Sequence, residues 1–163
     1  MLRGCRPSDA SRICEIYNHF VRETVVTFEE EPVSEREMAR RIQEVTEELP
    51  WMVWEEAGTI GGYAYATRWK SRSAYRFSTE STVYVAPGLT RRGIGTRLYE
   101  ALVVELRRRN VHCVVGGIAL PNAASIALHE RLGFSKIGHF SQIGWKLGRW
   151  VDVGYWELLL QDG

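Results

Sequence analysis

Thr90-Arg91-Arg92-Gly93-Ile94-Gly95-Thr96 is the stretch from which the architecture can be worked out. It follows a segment, 77–85, rich in Ser, Thr, Val and Tyr, which suits a pleated surface. Pro87-Gly88 breaks that strand. Beyond the glycines, Ile94, Leu98, Leu102 and Leu106 recur four residues apart, the apolar stripe of a long helix reaching about Arg109. Strand, glycine turn and helix in that order leave backbone N–H groups free at a helix N-terminus, a device that can hold a phosphate. The same spacing also describes a plain strand–helix turn. Two familiar phosphate motifs are absent. Leu98 stands where a dinucleotide fingerprint needs its third glycine, and Gly116-Gly117 where its acidic residue belongs. The Gly-Lys-Ser/Thr of a P-loop is missing.

Downstream, 111–118 is an apolar run of the kind buried on both faces of a sheet. Pro121-Asn122 opens another helix through Ile126, Leu128 and Leu132, and Gly133 ends it. Strands are expected at 134–140 and 151–159. Upstream, 2–5 reads as a short strand. Pro7-Ser8-Asp9 reads as a helix start with Ser8 as N-cap, followed by Ile13, Ile16, Tyr17 and Phe20 on one face. Ser34-Glu35-Arg36-Glu37 is a capping-box pattern opening a helix with Met38, Ile42, Val45 and Leu49 inward, stopped by Pro50. Strands are expected at 51–54 and 59–66. The order βααβββ, then αβαββ, predicts an α/β fold: a mixed sheet with helices on its faces.

Composition sets the frame. The 163 residues are 45% apolar and 25% charged, which suits one globular domain spanning 1–163. With 21 basic and 20 acidic residues the net charge is +1, so no basic excess points to nucleic acid. Cys5, Cys14 and Cys113 are an odd count without a CxxC pair, which argues against a disulfide framework and suits a cytoplasmic protein. His and Cys show no metal-ligand spacing. The N-terminus has no signal-peptide h-region, and the longest uncharged apolar run, 113–120, is too short to cross a membrane.

Strand, RRGIG, amphipathic helix, apolar strand and second helix together resemble the acetyl-CoA-binding core of the GCN5-related N-acetyltransferases (GNAT). That family's loop reads Gln/Arg-x-x-Gly-x-Gly/Ala. Here Thr90 departs from the first position, a pyrophosphate contact for which Arg91 and Arg92 can compensate. Further motifs resemble the phosphinothricin acetyltransferases: Trp69-Lys70-Ser71-Arg72-Ser73-Ala74-Tyr75, Glu80-Ser81-Thr82-Val83-Tyr84-Val85, Leu120-Pro121-Asn122, Leu128-His129-Glu130, Leu132-Gly133-Phe134 and Asp152-Val153-Gly154-Tyr155-Trp156. Asn18-His19 and Trp51 also fall in matching places. The likeness runs from about residue 3 to residue 158.

The resemblance implies a GNAT fold, a central, mostly antiparallel sheet flanked by helices. It implies a transfer of acetyl from acetyl-CoA to the α-amine of a small amino acid such as phosphinothricin, methionine sulfoximine or methionine sulfone. No metal is implied, and relatives are homodimers. The cofactor anchor would be Arg91, Arg92, Gly93, Ile94, Gly95 and Thr96. The main chain of Val83, Tyr84 and Val85 would pair with the pantetheine arm, and Asn122 and Ser125 would meet it from the other side. Asn122 also reads simply as a helix N-cap.

Glu80 is the candidate base, since a carboxylate beside an apolar thioester cleft has its pKa raised. The plain alternative is a solvated strand-end glutamate. His129 reads either as a satisfied core histidine or as a partner sharing the base role. Tyr84 and Tyr99 are candidate proton donors to thiolate, while Cys113 reads as packing. Lys70, Arg72 and Tyr75 form a cationic, aromatic cluster suited to an acidic amino acid, or else an exposed basic loop. Phe28, Thr82 and Val153 would line the acceptor, Val153 from either subunit. Leu147, Val151 and Ala119 depart from the relatives' pattern on what reads as the acceptor side. Two other readings stay open: acetylation of peptide or protein amines, and a non-catalytic acetyl-CoA sensor.

Overall fold

A computed structural model describes residues 1–160. Seven strands form one sheet: β1 (Leu2–Gly4), β2 (Trp51–Glu56), β3 (Thr59–Arg68), β4 (Ser78–Val85), β5 (Cys113–Leu120), β6 (Ser135–Lys146) and β7 (Arg149–Leu159), in the order β1-β2-β3-β4-β5-β7-β6. Every neighbouring pair is antiparallel except β4 and β5. Among the described residues four α-helices flank it: α1 (Ala10–Glu23), α2 (Glu35–Thr46), α3 (Ile94–Arg108) and α4 (Ala123–Arg131).

Strand alternation sends successive side chains to opposite faces and so builds two cores. On one face Tyr63 and Tyr84 join Ile13, Ile16 and Val21 of α1 and Met38 and Ile42 of α2. On the other, Ala64 and Ala66 receive the stripe Ile94, Leu98, Leu102 and Leu106 of α3, with Trp156 and Phe134 closing the layer. Each side chain of that stripe is at most 3% exposed, so the expected stripe is the buried one.

The Ser34 hydroxyl caps α2 by accepting from the Glu37 N–H at 3.1 Å. Gly133 ends α4 at φ +96°. Ser8 is not the cap of α1. Pro7–Asp9 is a 3-10 turn, Asp9 is the α1 cap residue, and its carboxylate accepts from the Arg6 N–H at 2.8 Å and from the Arg3 guanidinium. The carboxylate thus closes the 3-10 turn and makes no cap hydrogen bond to α1, which follows directly from that turn.

β5 begins at Cys113 rather than 111, because Val111 belongs to the turn that closes α3. The terminal hairpin is longer than its sequence suggests. β6 runs on to Lys146, and Leu147 (φ +50°) and Gly148 (φ +73°) make a two-residue turn before β7 starts at Arg149. Positive φ at both turn residues matches the right-handed twist of the strands. Leucine is an uncommon occupant there, which hid the turn from sequence reading.

Candidate active site

β4 and β5 are parallel neighbours, but they pair only at Ser78–Cys113, Thr79–Val114 and Glu80–Val115. Past Glu80 they separate. Each keeps its other neighbour: β4 pairs with β3 as far as Val85, and β5 pairs with β7 as far as Leu120. The facing edges of 81–85 and 116–120 therefore carry backbone N–H and C=O groups without a strand partner. Such groups need a partner when buried, and an extended ligand arm can supply one as an added strand does. A cavity of about 410 Å³ opens at this split, lined among others by Glu80, Thr82, Val83, Gly117, Asn122 and His129.

Glu80 sits at the fork. Its side chain is half-buried and makes no hydrogen bond or ion pair among the described residues. Burial pushes its carboxyl pKa up. It shares its face of the sheet with Gly117 and Tyr155: a Cβ at Gly117 would lie 3.6 Å from Glu80 Oε1 and 3.1 Å from Tyr155 Cε1.

His129 lies on the opposite face. A Cβ at Gly116, one residue earlier on β5, would lie 2.6 Å from His129 Nε2. The imidazole is 4% exposed. Its Nδ1–H donates to the Ser125 carbonyl at 2.7 Å, a tautomer assigned because a carbonyl can only accept. Nε2 then accepts from the Tyr99 hydroxyl at 3.0 Å, which in turn accepts from Ser81 Oγ. Burial lowers the histidine's pKa, so the ring is neutral near pH 7. Both nitrogens are engaged on the α3–α4 side. His129 and Glu80 therefore reach the split from opposite faces, because residues 80 and 81 of β4 point oppositely.

Asn122 Oδ1 accepts from the Ser125 N–H at 3.1 Å, so Asn122 caps α4. Asn122, Ser125 and His129 thus form one hydrogen-bonded run along the cavity wall. Tyr84 is buried among Tyr17, Phe20 and Tyr63. Phe28, Thr82 and Val153 line the same cavity as Glu80.

The glycine loop stands at the N-terminus of α3. Arg91 (φ +64°) and Gly93 (φ +76°) are both left-handed, the local geometry that turns successive N–H groups to one side. Ile94 is 3% exposed, so only its backbone is available to a ligand. The Arg92 guanidinium reaches back to Glu56 at 3.2 Å. Gly95 and Thr96 continue into the first turn of α3.

Lys70, Arg72 and Tyr75 are not brought into the Glu80 cavity. With Ser71 they ring a separate open hollow of about 480 Å³ on the β3–β4 connection. Trp69, at the edge of that connection, packs edge-on against Tyr155 of the cavity at 5.9 Å. Of the three departures noted above, only Ala119 lines the cavity. Leu147 is at the hairpin tip and Val151 is in the core.

Sequence reading missed Ser81, Tyr155 and the paired glycines as parts of this site. The glycine pair was the available signal, since glycine inside a strand marks a close approach.

A family model described as an acetyltransferase (GNAT) domain matches residues 2–154. A phosphinothricin N-acetyltransferase of Streptomyces viridochromogenes is 37% identical over 96% of this chain and 85% of its own. An L-methionine sulfoximine/L-methionine sulfone acetyltransferase of Salmonella typhimurium is 36% identical over 99% of this chain and 95% of its own. Among solved structures, an acetyltransferase from Salmonella typhimurium with its cofactor acetyl-CoA superposes with a TM-score of 0.97 at 35% identity, covering 100% of this chain and 95% of that one. A phosphinothricin acetyltransferase from Sinorhizobium meliloti in complex with acetyl-CoA gives 0.96 at 37%, covering 100% and 89%. The chain with the split sheet and the glycine turn belongs to the GNAT acetyltransferase family.

Proposed function

We propose that this protein transfers acetyl from acetyl-CoA to the α-amine of a small amino acid of the phosphinothricin, methionine sulfoximine or methionine sulfone kind, with Glu80 as general base. The observation that carries the reading is the unpaired, half-buried Glu80 carboxylate at the fork of β4 and β5. The activities for which the relatives are named supply the acceptor class.

Acetyl-CoA supplies an activated acetyl thioester. The residues present fit it: the free edge of Val83, Tyr84 and Val85 offers main-chain partners to an extended arm. The left-handed loop 91–96 offers N–H groups to its phosphates, with a helix N-terminus behind them. Asn122 and Ser125 flank the arm from α4. On the other side of the split Glu80 accepts the amine proton as the C–N bond forms and the C–S bond breaks. His129 and Tyr99 belong to the donor side, where their hydrogen bonds tie α4 to α3 and, through Ser81, to β4. The thiolate leaves with the electron pair of the C–S bond and takes a proton from solvent water.

Phe28, Thr82 and Val153 would wall the acceptor in the Glu80 cavity, whereas Lys70, Arg72 and Tyr75, expected from sequence to receive its acidic end, ring a hollow of their own outside that cavity. Neither Lys70 nor Arg72 has an ion-pair partner among the described residues.

Thiol release from acetyl-CoA, measured over a panel of those amino acids, the common amino acids and a lysine-rich peptide, tests the reading. A small anionic amino acid is expected to be turned over. Preferential turnover of the peptide, or no turnover despite acetyl-CoA binding, would reject it. Arg72→Ala is expected to leave both KM values within about twofold, because its hollow is separate from the Glu80 cavity.

The active form is proposed to be a cytoplasmic homodimer. Ile137, Phe140, Trp145, Leu147 and Trp150 of the β6–β7 hairpin are each more than half exposed. Trp145 and Trp150 stack edge-on at 4.9 Å. Exposed apolar side chains concentrated on one hairpin call for a cover, and a second copy provides it. Sedimentation is expected to give a dimer, and Trp145→Lys with Trp150→Lys a monomer. A wild-type monomer at micromolar concentration would exclude this cover.

A further inference from the structure

Lys146 is a lysine that the proposed chemistry does not use, and it is 2% exposed. Ammonium groups are rarely buried so far, because desolvation costs several kcal/mol unless partners compensate. Its partners are two carbonyls. Nζ donates to the Thr27 carbonyl at 2.7 Å and, more weakly, to the Phe20 carbonyl at 3.5 Å. The Phe20 carbonyl lies in the last turn of α1, which also receives the Thr24 N–H and hydroxyl. A cation there meets the negative end of the helix dipole.

The Thr27 contact matters more for the site. Residues 24–34 link α1 to α2 without a regular element. The far end is tied by Asn18, which accepts from the Val33 N–H at 2.8 Å and donates to the Val33 carbonyl at 2.9 Å. The near end is tied by Lys146 and by a hydrogen bond between the Thr27 and Tyr17 hydroxyls at 2.9 Å. Thr27 and Phe28 both line the Glu80 cavity. Phe28 packs against Gly144, where a Cβ would come within 2.3 Å of the ring. Gly144 and Lys146 are two apart on β6 and share a face. The glycine makes room for the ring, and the lysine holds the backbone one residue before it.

We infer that Lys146 is a positioning residue for the acceptor: by fixing the Thr27 carbonyl it sets Phe28 as the wall of the cavity that faces Glu80. This rests on reading that cavity as the acceptor's. A methionine at 146 would fill the same volume without burying a charge, and would leave the wall untied.

Lys146→Met is therefore expected to raise the acceptor KM about tenfold, the effect of losing a hydrogen bond to a charged group, while the acetyl-CoA KM stays within about twofold. Because Lys146 acts through Phe28, Lys146→Met combined with Phe28→Ala should be no worse than the more damaging single change. Amide hydrogen exchange over 24–28 should quicken in Lys146→Met, a readout that needs no turnover. Should that variant fail to fold, Gly144→Ala displaces the ring from beneath and is expected to raise the acceptor KM alone.

Equal rises in both KM values, additive effects with Phe28→Ala, or unchanged exchange over 24–28 would each overturn the inference. A wild-type enzyme that turns over no amino acid would instead reject the acceptor reading, and the exchange measurement would still decide whether Lys146 ties the segment.

Discussion

Glu80→Gln is expected to lower kcat by about 10²–10⁴-fold, the usual contribution of a positioned general base, with little change in the KM of either substrate. The substitution keeps the shape of the side chain and removes its basicity. The wild-type kcat/KM should fall as pH drops through the Glu80 pKa, which burial places above the ordinary carboxylate range. Glu80→Gln should lack that limb.

Stability should move the other way. Between the unfolded and the raised folded pKa, the folded chain holds a proton that the unfolded chain has lost. Stability therefore declines as pH rises through that window. Glutamine has no such slope, so Glu80→Gln is expected to be as stable as wild type near pH 7, or more so. A thermal melt beside a thiol-release assay reads both. Full activity in Glu80→Gln would move the base elsewhere, and a large drop in melting temperature would turn the loss of rate into a folding effect.

Much of the fold was legible because its signals are local. The α3 stripe, the Ser34 cap and the Gly133 stop depend on residues within a turn or two of each other. The glycine turn was legible for the same reason. The terminal hairpin was not, because Leu147-Gly148 carries no common turn pair and its positive φ values follow from strand twist.

Side-chain direction at the site was beyond sequence reading altogether. Glu80 and His129 face opposite ways because of the register of β4 against β5, which no neighbouring residue encodes. The hollow around Lys70 and Arg72 lies apart from Glu80 for a similar reason. Eight residues separate Arg72 from Glu80 in sequence, but the intervening turn carries the cluster beyond the end of the strand. The burial of Lys146 depends on the 24–34 segment, more than a hundred residues away in sequence, whose Thr27 carbonyl accepts from it.

The adjacent glycines of β5 give the other large effect, and they separate the two faces of the site. Gly116→Ala is expected to cost about 3 kcal/mol of stability, from overpacking of ~1–3 kcal/mol plus about 1 kcal/mol for a disturbed hydrogen bond. The new methyl would lie 2.6 Å from His129 Nε2 and 2.8 Å from Cδ2. The imidazole has nowhere to withdraw. Its Nδ1–H is held by the Ser125 carbonyl, and Tyr99 and Phe134 pack edge-on against it at 5.0 and 5.1 Å.

For a chain of this size the loss corresponds to a fall of about 6–12 °C in melting temperature. Gly138→Ala on β6 is the control, since its methyl would meet nothing within 4 Å. It should shift stability by no more than about 0.5 kcal/mol.

Gly117→Ala projects to the other face, toward Tyr155 at 3.1 Å and Glu80 Oε1 at 3.6 Å. Tyr155 is only partly buried and can give way, so the stability change should be the smaller of the two. Turnover should suffer more, because the methyl occupies the side of the split from which the amine must approach Glu80. If Gly116→Ala and Gly117→Ala instead lowered stability and kcat in the same proportion, the division of the cleft into a His129 side and a Glu80 side would have no chemical meaning. A stability loss concentrated in the first and a rate loss concentrated in the second would mean that the two glycines keep clear two separate approaches to one reacting carbonyl.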